Sequence, residues 1–405
     1  MSEWPSRPIG EVCDIIGGGT PSRSTEAFFG GAIPWATVRD MKSDWIDETE
    51  FSITEMAVRK SATKVLPAGT VVVASRVGLG KVCRVRNETA INQDLRGFIP
   101  KKRGQVDEQY LFRWFTSIAP RIISAGTGAT VQGVTLPFLK SLQIPLPPIE
   151  EQRRIVAVLD EAFAAIATAT ANAEKNLANA RELFQAELRA LLEEIEGEPA
   201  TLGVTTDIKV GFAFKSGGYS NDPDDIPLIR GDNVVQGRLR WDDLKRWPKS
   251  DADQYDAYRL AAGDLVLAMD RTWVKAGLKY AVIGPDDVPS LLLQRVARVR
   301  ASKMILPDFV TSQIASPAFT DYVLGIQTGL GVPHISGKQI ADYSFRLPDL
   351  ETQSEIVDKL QQIRQASDQL VDLYHSKLKS LNILKQSLLS QAFSGEPIGA
   401  ELLAA

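Results

Sequence analysis

The sequence contains one junction written twice, as IPLPPIEEQRRIVAVL at residues 144–159 and FRLPDLETQSEIVDKL at residues 345–360. Both copies read Leu-Pro, then Glu-x-x-Gln-x-x-Ile-Val, at a constant offset of 201 positions. Proline is tolerated before or at the first turn of a helix and not inside it. The two stretches therefore indicate two places where a compact domain ends and a helix begins.

The repeat extends over most of the chain. IGEVCDIIGG (9–18) matches LGVTTDIKVG (202–211), IPWATVRDM (33–41) matches IPLIRGDNV (226–234), LPAGTVVVAS (66–75) matches LAAGDLVLAM (260–269), and GTGATVQGV (126–134) matches QTGLGVPHI (327–335). Because these matches come in the same order, the chain is predicted to contain two diverged copies of one ancestral unit.

Each junction is followed by an apolar stripe whose steps alternate between three and four residues, as in a coiled coil. The first stripe is Val156, Leu159, Phe163, Ile166, Thr170, Ala173, Leu177, Ala180, Phe184, Leu188, Leu191 and Ile195. The second is Ile356, Leu360, Ile363, Ser367, Leu370, Leu373, Lys377, Leu381, Leu384, Leu388 and Ala392. Gly197 and Gly395 are predicted to stop the two helices. Two helices of about 70 Å would bury these stripes by pairing antiparallel; the alternative is that each packs only on its own domain.

The predicted fold class is α+β. Two similar globular β-rich domains are separated by two long helices that form an antiparallel coiled coil, with a pseudo-twofold internal repeat. The predicted boundaries are 1–148 for domain 1, 149–197 for the central helix, 198–348 for domain 2, 349–395 for the distal helix and 396–405 for the tail. Short β-rich runs broken by Gly, Pro, Asn and Asp support the domain interpretation.

The composition limits the class of protein and the kinds of catalytic or metal site that the chain can contain. The 405 residues are 44% hydrophobic and 24% charged, and no run approaches 18 uninterrupted apolar residues, which favours a cytoplasmic protein. Two isolated cysteines and two histidines provide no zinc-type ligand set, and buried thiols are expected. The glycine-rich stretches match neither a phosphate-binding loop nor a dinucleotide fingerprint, so no catalytic or metal site is predicted.

Local positive charge stands out against a net charge of −4. Residues 59–103 contain eleven Lys and Arg against two acidic residues, and residues 271–303 contain seven against two. Such a run usually marks a solvated face. Its recurrence in both copies, interleaved with Gly, Asn, Gln and Thr, favours DNA binding instead. Two arms with one framework and different side chains would read two different half-sites.

With these motifs in place, the chain resembles a specificity subunit of a type I restriction-modification system. The resemblance rests on the two junctions, IPW and IPL with the following VRDM and RGDNV, GKVCRV with INQD, TGATVQGV, and SLLSQAFSGE at 387–396. It implies two domains that each read half of a bipartite asymmetric DNA site. It also implies two helices that act as spacer and docking platform.

The resemblance further implies that the chain is not an enzyme and binds no cofactor itself. Its partners would be double-stranded DNA and two modification subunits, which use S-adenosylmethionine to methylate adenine. Restriction subunits, which use ATP and Mg, would join in some complexes, and the sequence leaves their presence open; no membrane is involved. The alternative is a coiled-coil protein-interaction adaptor without sequence-specific DNA binding.

Candidate residues follow from matching positions. The expected DNA-binding residues are Ser22, Arg23, Arg39, Arg76, Lys81, Arg84, Thr127, Thr130, Gln132, Arg230, Asn233, Arg271, Trp273, Lys275, Lys279, Thr328 and His334. The expected docking and spacer residues are Glu150, Gln152, Ile155, Phe163, Phe184, Glu351, Gln353, Ile356, Leu370 and Leu388. The second copy has MDRTWVK (269–275) where the first has SRVGLGK (75–81).

Overall fold

A computed structural model describes residues 4–128, 132–329 and 332–394. The chain divides into two compact units, which we call unit 1 (Met1–Glu174 with Ser376–Ala405) and unit 2 (Lys175–His375). Each unit therefore contains the β-rich part of one repeat together with about half of each long helix. The predicted boundaries of the recognition domains and spacer helices stay a prediction. Units 1 and 2 each combine one β-rich part with parts of both long helices, so they do not test those boundaries.

Unit 1 contains eleven strands in its described part. They form a two-stranded sheet (β1-β11), a five-stranded sheet (β2-β10-β7-β8-β4) and a four-stranded sheet (β5-β3-β9-β6). The strands are β1 (Ser6–Pro8), β2 (Cys13–Gly17), β3 (Phe29–Ala36), β4 (Trp45–Ile46), β5 (Phe51–Ile53), β6 (Lys64–Leu66), β7 (Val71–Ala74), β8 (Val82–Val85), β9 (Thr89–Ile91), β10 (Leu95–Pro100) and β11 (Gln143–Pro145).

Most helices of unit 1 pack around one aromatic-rich core, whereas Ala57 of the second helix lies in a separate cluster with Trp35 and Ile53. They are α1 (Ile9–Val12), α2 (Glu55–Lys60), α3 (Glu108–Ser117), α4 (Ala119–Ser124), α5 (Leu136–Ser141) and the first part of α6 (Ile149–Glu193). Helix α3 buries five residues on the core, among them Trp114 and Phe115, and Asp107 caps its start by accepting from two backbone N–H groups. Burial of such side chains contributes roughly 1.5–3 kcal/mol each.

Unit 2 also contains eleven strands in its described part. They are β12 (Glu198–Thr201), β13 (Thr206–Val210), β14 (Ile226–Ile229), β15 (Lys245–Trp247), β16 (Leu265–Ala268), β17 (Trp273–Val274), β18 (Gly277–Leu278), β19 (Tyr280–Val282), β20 (Leu291–Leu292), β21 (Val296–Ala301) and β22 (Ser344–Leu347). Its helices are α7 (Leu202–Thr205), α8 (Pro307–Ala315), α9 (Pro317–Ile326), α10 (Gly337–Ala341) and the first part of α11 (Leu350–Ala392), with short 3-10 turns in both units.

The two units share one topology, as the internal repeat predicts. The order β13-β21-β16-β19 reproduces β2-β10-β7-β8, the order β15-β14-β20 reproduces β5-β3-β9, and β12-β22 reproduces β1-β11. The registers agree too, since β7 pairs antiparallel with β10 and β16 pairs antiparallel with β21. Two mixed α+β bodies of one design are therefore confirmed.

The long helices run antiparallel in both units. In unit 2, the Ser367 hydroxyl donates to the Ala180 carbonyl at 2.5 Å, and the Arg364 guanidinium lies 3.9 Å from the ring centre of Phe184. In unit 1, the Lys385 ammonium lies 5.3 Å from the ring centre of Phe163. Residue numbers on α6 rise as those on α11 fall, so the predicted antiparallel pairing is confirmed.

The predicted stripe of α6 is the buried one. Val156, Leu159, Ile166, Ala173, Leu177, Ala180 and Leu188 are all buried. On α11 two predicted positions are wrong. Leu373 is 57% exposed and Leu384 is 42% exposed, whereas the unpredicted Tyr374 and Leu378 are half-buried and Leu389 is buried.

The predicted stop at Gly197 is also wrong. Helix α6 ends at Glu193, and Gly197 instead lies against the start of the next sheet, where an added Cβ would be 2.5 Å from the Leu347 carbonyl oxygen. Gly197 therefore permits a close approach of two chain segments rather than terminating a helix. Gly395 lies outside the described residues.

Both cysteines are buried free thiols, as expected. Burial raises the pKa of Cys13 and of Cys83 to about 12.

Among the described residues, α6 alone is long and apolar enough to cross a membrane by length and composition, with a window of mean hydropathy 1.4. Its residues Ile155, Val156 and Leu159 are packed in the core of unit 1, which accounts for that apolar character.

Candidate nucleic-acid interface

Five loops of unit 1 meet at one edge, which we call edge 1; its described residues are 18–23, 37–41, 75–81, 92–94, 127–128 and 132–133. The Ser75 backbone N–H donates to the Asp94 carbonyl at 2.8 Å, and the Val134 N–H donates to the Ser75 carbonyl at 2.9 Å. The Lys81 ammonium donates to the carbonyls of Val38 and Met41 at 3.4 and 3.3 Å. These bonds hold the predicted DNA-binding loops together.

The turn GGGTPS (17–22) is fixed to the same edge. The Gly19 carbonyl accepts from the Trp35 indole at 3.2 Å and from the Thr63 hydroxyl at 2.7 Å. A Cβ on Gly18 would lie 2.1 Å from the Ile91 carbonyl oxygen, so the close approach requires glycine. The turn thereby presents Ser22 and Arg23, which are both exposed.

Edge 1 contains a cleft of about 330 Å³. Its lining combines cations, amides, hydroxyls and aromatic rings: Thr20, Arg23, Trp35, Thr37, Val38, Arg39, Phe51, Val77, Asn92, Gln93 and Asp94. The predicted residues Arg23 and Arg39 therefore lie at one cleft. Donors and acceptors of this kind are the groups that read base edges and contact phosphates.

Unit 2 has the equivalent edge, which we call edge 2; its described residues are 269–279, 294–295, 328–329 and 332–334. The Arg271 N–H donates to the Pro333 carbonyl at 2.7 Å, and Thr328 and His334 exchange backbone hydrogen bonds at 2.8 and 3.0 Å. The hairpin of β17 and β18 presents Trp273, which is 41% exposed, and Lys275 is exposed beside it. The predicted loops of the second repeat are thus brought together as well.

Edge 2 carries closely spaced cations. Lys279 is half-buried, and its pKa is lowered, first by burial, while the Asp232 carboxylate opposes that shift and Arg271 adds to it. A partly desolvated ammonium beside another cation favours an anionic partner such as a phosphate.

The comparisons with known proteins bear on what these edges do. A family model described as the type I restriction modification DNA specificity domain matches residues 1–177. The MjaVIII type I restriction enzyme specificity subunit of Methanocaldococcus jannaschii is 22% identical over 97% of this chain and 93% of its own length. The EcoR124I/EcoR124II specificity subunit of Escherichia coli is 36% identical over 39% of this chain, and the MjaIX subunit of M. jannaschii is 34% identical over 39%.

The chain spans 40% of the length of the EcoR124I/EcoR124II subunit and 37% of the length of the MjaIX subunit. Among solved structures, one chain from a study of complex assembly and conformational transition of the type I R-M system superposes with a TM-score of 0.74 at 18% identity, covering 98% of this chain and 99% of that chain. The HsdS subunit from Thermoanaerobacter tengcongensis superposes with a TM-score of 0.65 at 19% identity and 98% coverage of each chain. These two show the same fold.

Residues 1–177 therefore match the model of the type I restriction modification DNA specificity domain, and over nearly its whole length the chain is similar to a type I restriction enzyme specificity subunit. The segment that matches the family model contains the whole of edge 1, whereas edge 2 lies in the second repeat.

Two nominated DNA-binding residues are not available to DNA. Arg84 is only 6% exposed, with its guanidinium 4.0 Å from the ring centre of Trp45 and 4.7 Å from that of Phe112. Asn233 is 1% exposed; its side-chain amide accepts from the Arg230 N–H and donates to the Arg240 carbonyl. We therefore correct the interpretation of both to framework residues. The Arg230 side chain is 20% exposed and donates to the Asp243 carboxylate at 3.1 Å, and its contact with DNA stays a prediction.

The remaining nominated residues lie on the two edges. Those on edge 1 are Ser22, Arg23, Arg39, Arg76, Lys81, Thr127 and Gln132, and those on edge 2 are Arg271, Trp273, Lys275, Lys279, Thr328 and His334. Thr130 lies outside the described residues. Contact of these residues with DNA stays a prediction.

Gln152 and Gln353 also need a correction, because both are fully buried and cannot contact a partner subunit. The Gln152 amide accepts from the Asp107 N–H at 2.9 Å and donates to the Gln105 and Pro147 carbonyls at 3.1 and 2.9 Å. Gln353 repeats this with the Leu306 N–H and with the Met304 and Pro348 carbonyls. Each glutamine ties its helix to the domain before it.

The other nominated docking and spacer residues divide by exposure. Glu150 and Glu351 are exposed at the helix starts, whereas Ile155 and Leu388 are buried in the core of unit 1. Phe163, Phe184, Ile356 and Leu370 are half-buried along the helix pair. The last six therefore hold the helices in place, and only the two glutamates are free to meet a partner.

Sequence reasoning missed three residues at the edges. Asp94 lies beside Arg76, and Asp270 lies beside Arg295. The missed residues are Asp94, Asp270 and Arg295. The two aspartates were not nominated because the prediction rested on basic side chains, and position-by-position alignment of the two repeats, which pairs Asp94 with Arg295 and Arg76 with Asp270, is the signal that finds all three.

Proposed function

We propose that this chain is a specificity subunit that reads a bipartite, asymmetric DNA site, with edge 1 contacting one half and edge 2 the other. The observation that carries the proposal is that two units of one topology present loops of the same framework with different side chains. SRVGLGK occupies the edge 1 loop where edge 2 has MDRTWVK. Two identical edges would read the same half-sequence twice, whereas two different edges read two different half-sequences.

The paired helices supply the spacing between the halves and the surface for two modification subunits. In this proposal the exposed Glu150 and Glu351 lie at the surface that meets those partners. The chain itself binds no cofactor; S-adenosylmethionine belongs to the modification subunits, and ATP and Mg belong to any restriction subunits. Because DNA is its target and no membrane takes part, the proposed compartment is the cytoplasm.

Binding measurements at two salt concentrations test DNA recognition. We expect affinity for DNA to fall steeply between about 50 and 200 mM salt, because phosphate contacts release counterions. We also expect selection of one sequence from a random pool by the complex with its modification subunits. An adaptor whose basic segments are only solvated would show neither, and that result would overturn the proposal.

A methylation assay separates recognition from catalysis. The complete complex with S-adenosylmethionine should transfer methyl groups to adenines of the bipartite site, whereas the isolated specificity subunit should transfer none. Methyl transfer by the isolated chain would contradict the assignment.

A further inference from the structure

An ion pair lies at the same place on both edges. On edge 1, the Arg76 guanidinium lies 3.8 Å from the Asp94 carboxylate. On edge 2, the Arg295 guanidinium lies 3.6 Å from the Asp270 carboxylate. Both pairs connect the loop after the central strand, β7 or β16, to the loop before the next strand in the sheet, β10 or β21.

The backbone around both pairs is the same. The Ser75 N–H donates to the Asp94 carbonyl at 2.8 Å, and the Met269 N–H donates to the Arg295 carbonyl at 2.8 Å. The Val134 N–H donates to Ser75 and the Ile335 N–H donates to Met269, both at 2.9 Å. Asp94 therefore corresponds to Arg295, and Arg76 corresponds to Asp270.

The charges are exchanged between the two copies. Edge 1 has its cation on the first loop and its anion on the second, and edge 2 has the opposite arrangement. Because both edges keep the ion pair and the backbone hydrogen bonds around it, the exchange leaves the local charge balance unchanged. It moves the guanidinium to the other loop. The two edges thus present their arginine from different positions on the same scaffold.

The arginines are the exposed members of these pairs, with side chains 51% exposed for Arg76 and 59% for Arg295. An exposed ion pair of this length contributes little to stability, but a guanidinium has five N–H donors, so it can keep the carboxylate contact and donate to a second acceptor. The carboxylate meanwhile weakens the general attraction of the site for phosphate. What remains is an oriented, planar donor, which is the group that pairs with the O6 and N7 atoms of guanine.

Two residues of edge 2 have an unusual backbone conformation with positive φ. Among residues 4–128, 132–329 and 332–394, only three non-glycine residues have positive φ, and two of them, Arg271 (46°) and Arg295 (67°), lie on this edge. Such residues are strained by about 1–2 kcal/mol and cluster at functional sites. The positive φ gives the Arg295 side chain a direction that a residue with negative φ at this loop position would not give it.

We propose that Arg295 is a base-reading residue of the second half-site and that Arg76 has this role at the first, each oriented by its carboxylate partner. The inference rests on the proposed function of the edges and adds the residues that determine specificity. It also names the ligand chemistry, a guanine-type pair of acceptors in the major groove. Asp94 and Asp270 are positioning residues that do not themselves touch the base.

The test uses the complete complex with its modification subunits and DNA in which every position of the mapped site is varied. The variants are Arg295→Lys, Arg295→Ala and Asp270→Asn, with Arg259→Ala as the matched control. Arg259 is also held by two carboxylates of unit 2, those of Asp253 and Asp256, but it lies outside edge 2. Methylation rates for each base at each position are the readout.

Arg295→Lys should reduce discrimination at one base pair of the second half by roughly ten- to hundred-fold, because lysine keeps the charge and loses the two-pronged contact. Arg295→Ala should do the same, and Asp270→Asn should reduce discrimination there by a smaller factor, while the first half stays unchanged. Arg259→Ala should leave every position as in the wild type.

Two results would overturn the inference without touching the proposed function. One is an unchanged base preference in Arg295→Lys and Arg295→Ala. The other is a uniform loss of affinity over all sequences with a reduced salt dependence, which would assign Arg295 to phosphate. If the wild-type complex methylated no defined site, the proposed function itself would fail. Circular dichroism and unfolding of each variant check that the fold is retained.

Discussion

Gln152 and Gln353 show at the scale of single residues why the junction is written twice. Each amide is fully buried and makes three hydrogen bonds, two to the loop before helix α3 or α8 and one to the carbonyl of the proline before its own helix. A buried polar group that loses its partner costs about 1–3 kcal/mol. The motif therefore fixes the direction in which each helix leaves its domain.

Replacing Gln152 by alanine should lower the free energy of unfolding by about 2–4 kcal/mol, because the Asp107 N–H and two carbonyls lose their partner. Urea unfolding of the purified chain measures this. The control is Glu150→Ala, an exposed change on the same turn, which should stay within about 0.5 kcal/mol of the wild type. Equal stability of Gln152→Ala and the wild type would contradict the role.

The buried thiols give a pH prediction. Burial raises the pKa of Cys83 from 9.0 to about 12, so the folded protein holds this proton more tightly than the unfolded chain. The stabilisation is complete below pH 9 and is lost as pH rises towards 12. A disulfide reagent at pH 8 should label Cys83 only after denaturation; rapid labelling of the native protein would show that the thiol is not buried.

At the scale of elements, the helix pair depends on small residues in its seam. Ala180 is buried, and its carbonyl accepts the Ser367 hydroxyl at 2.5 Å. Ala180→Leu should therefore force the segments apart and destabilise unit 2 by about 1–3 kcal/mol. Ala178→Leu is the matched control, because Ala178 is exposed on the same helix and should have little effect. Thermal unfolding distinguishes them, and equal melting temperatures would refute the tight seam.

The spacer role of the helices has its own test. Removing one heptad from both α6 and α11 keeps the seam in phase and should change the distance between the two recognised halves, while each half-sequence stays the same. Methylation mapping of the shortened complex measures the gap. An unchanged gap in an assembled complex would show that the helices do not set the spacing.

The helices and loops also show which features of the fold can be predicted from the sequence alone. The stripe of α6 was predictable because three-four spacing is a local property of the chain. Leu373 and Leu384 were misassigned because the choice between neighbouring positions on α11 depends on the segment opposite. Arg84 was misassigned because Trp45 and Phe112, which enclose it, are distant in sequence. The loops of both edges were predictable from the repeat, whereas the ion pairs with Asp94 and Asp270 required the folded frame.

At the scale of the whole molecule, duplication followed by divergence explains the architecture. Strand order, register and the buried glutamine are kept in both units, while the exposed loops differ in sequence and in the placement of charge. The framework therefore accounts for stability, and the loops are free to vary, as the proposed reading of two different half-sites requires.

Mapping of methylated adenines in DNA from cells that carry the complete system tests the central claim most directly. The account predicts one asymmetric site made of two different half-sequences separated by a gap of fixed length. Exchange of residues 269–275 for the edge 1 loop SRVGLGK should change the second half alone. A single uninterrupted site, or a change in both halves after that exchange, would contradict two independent reading edges.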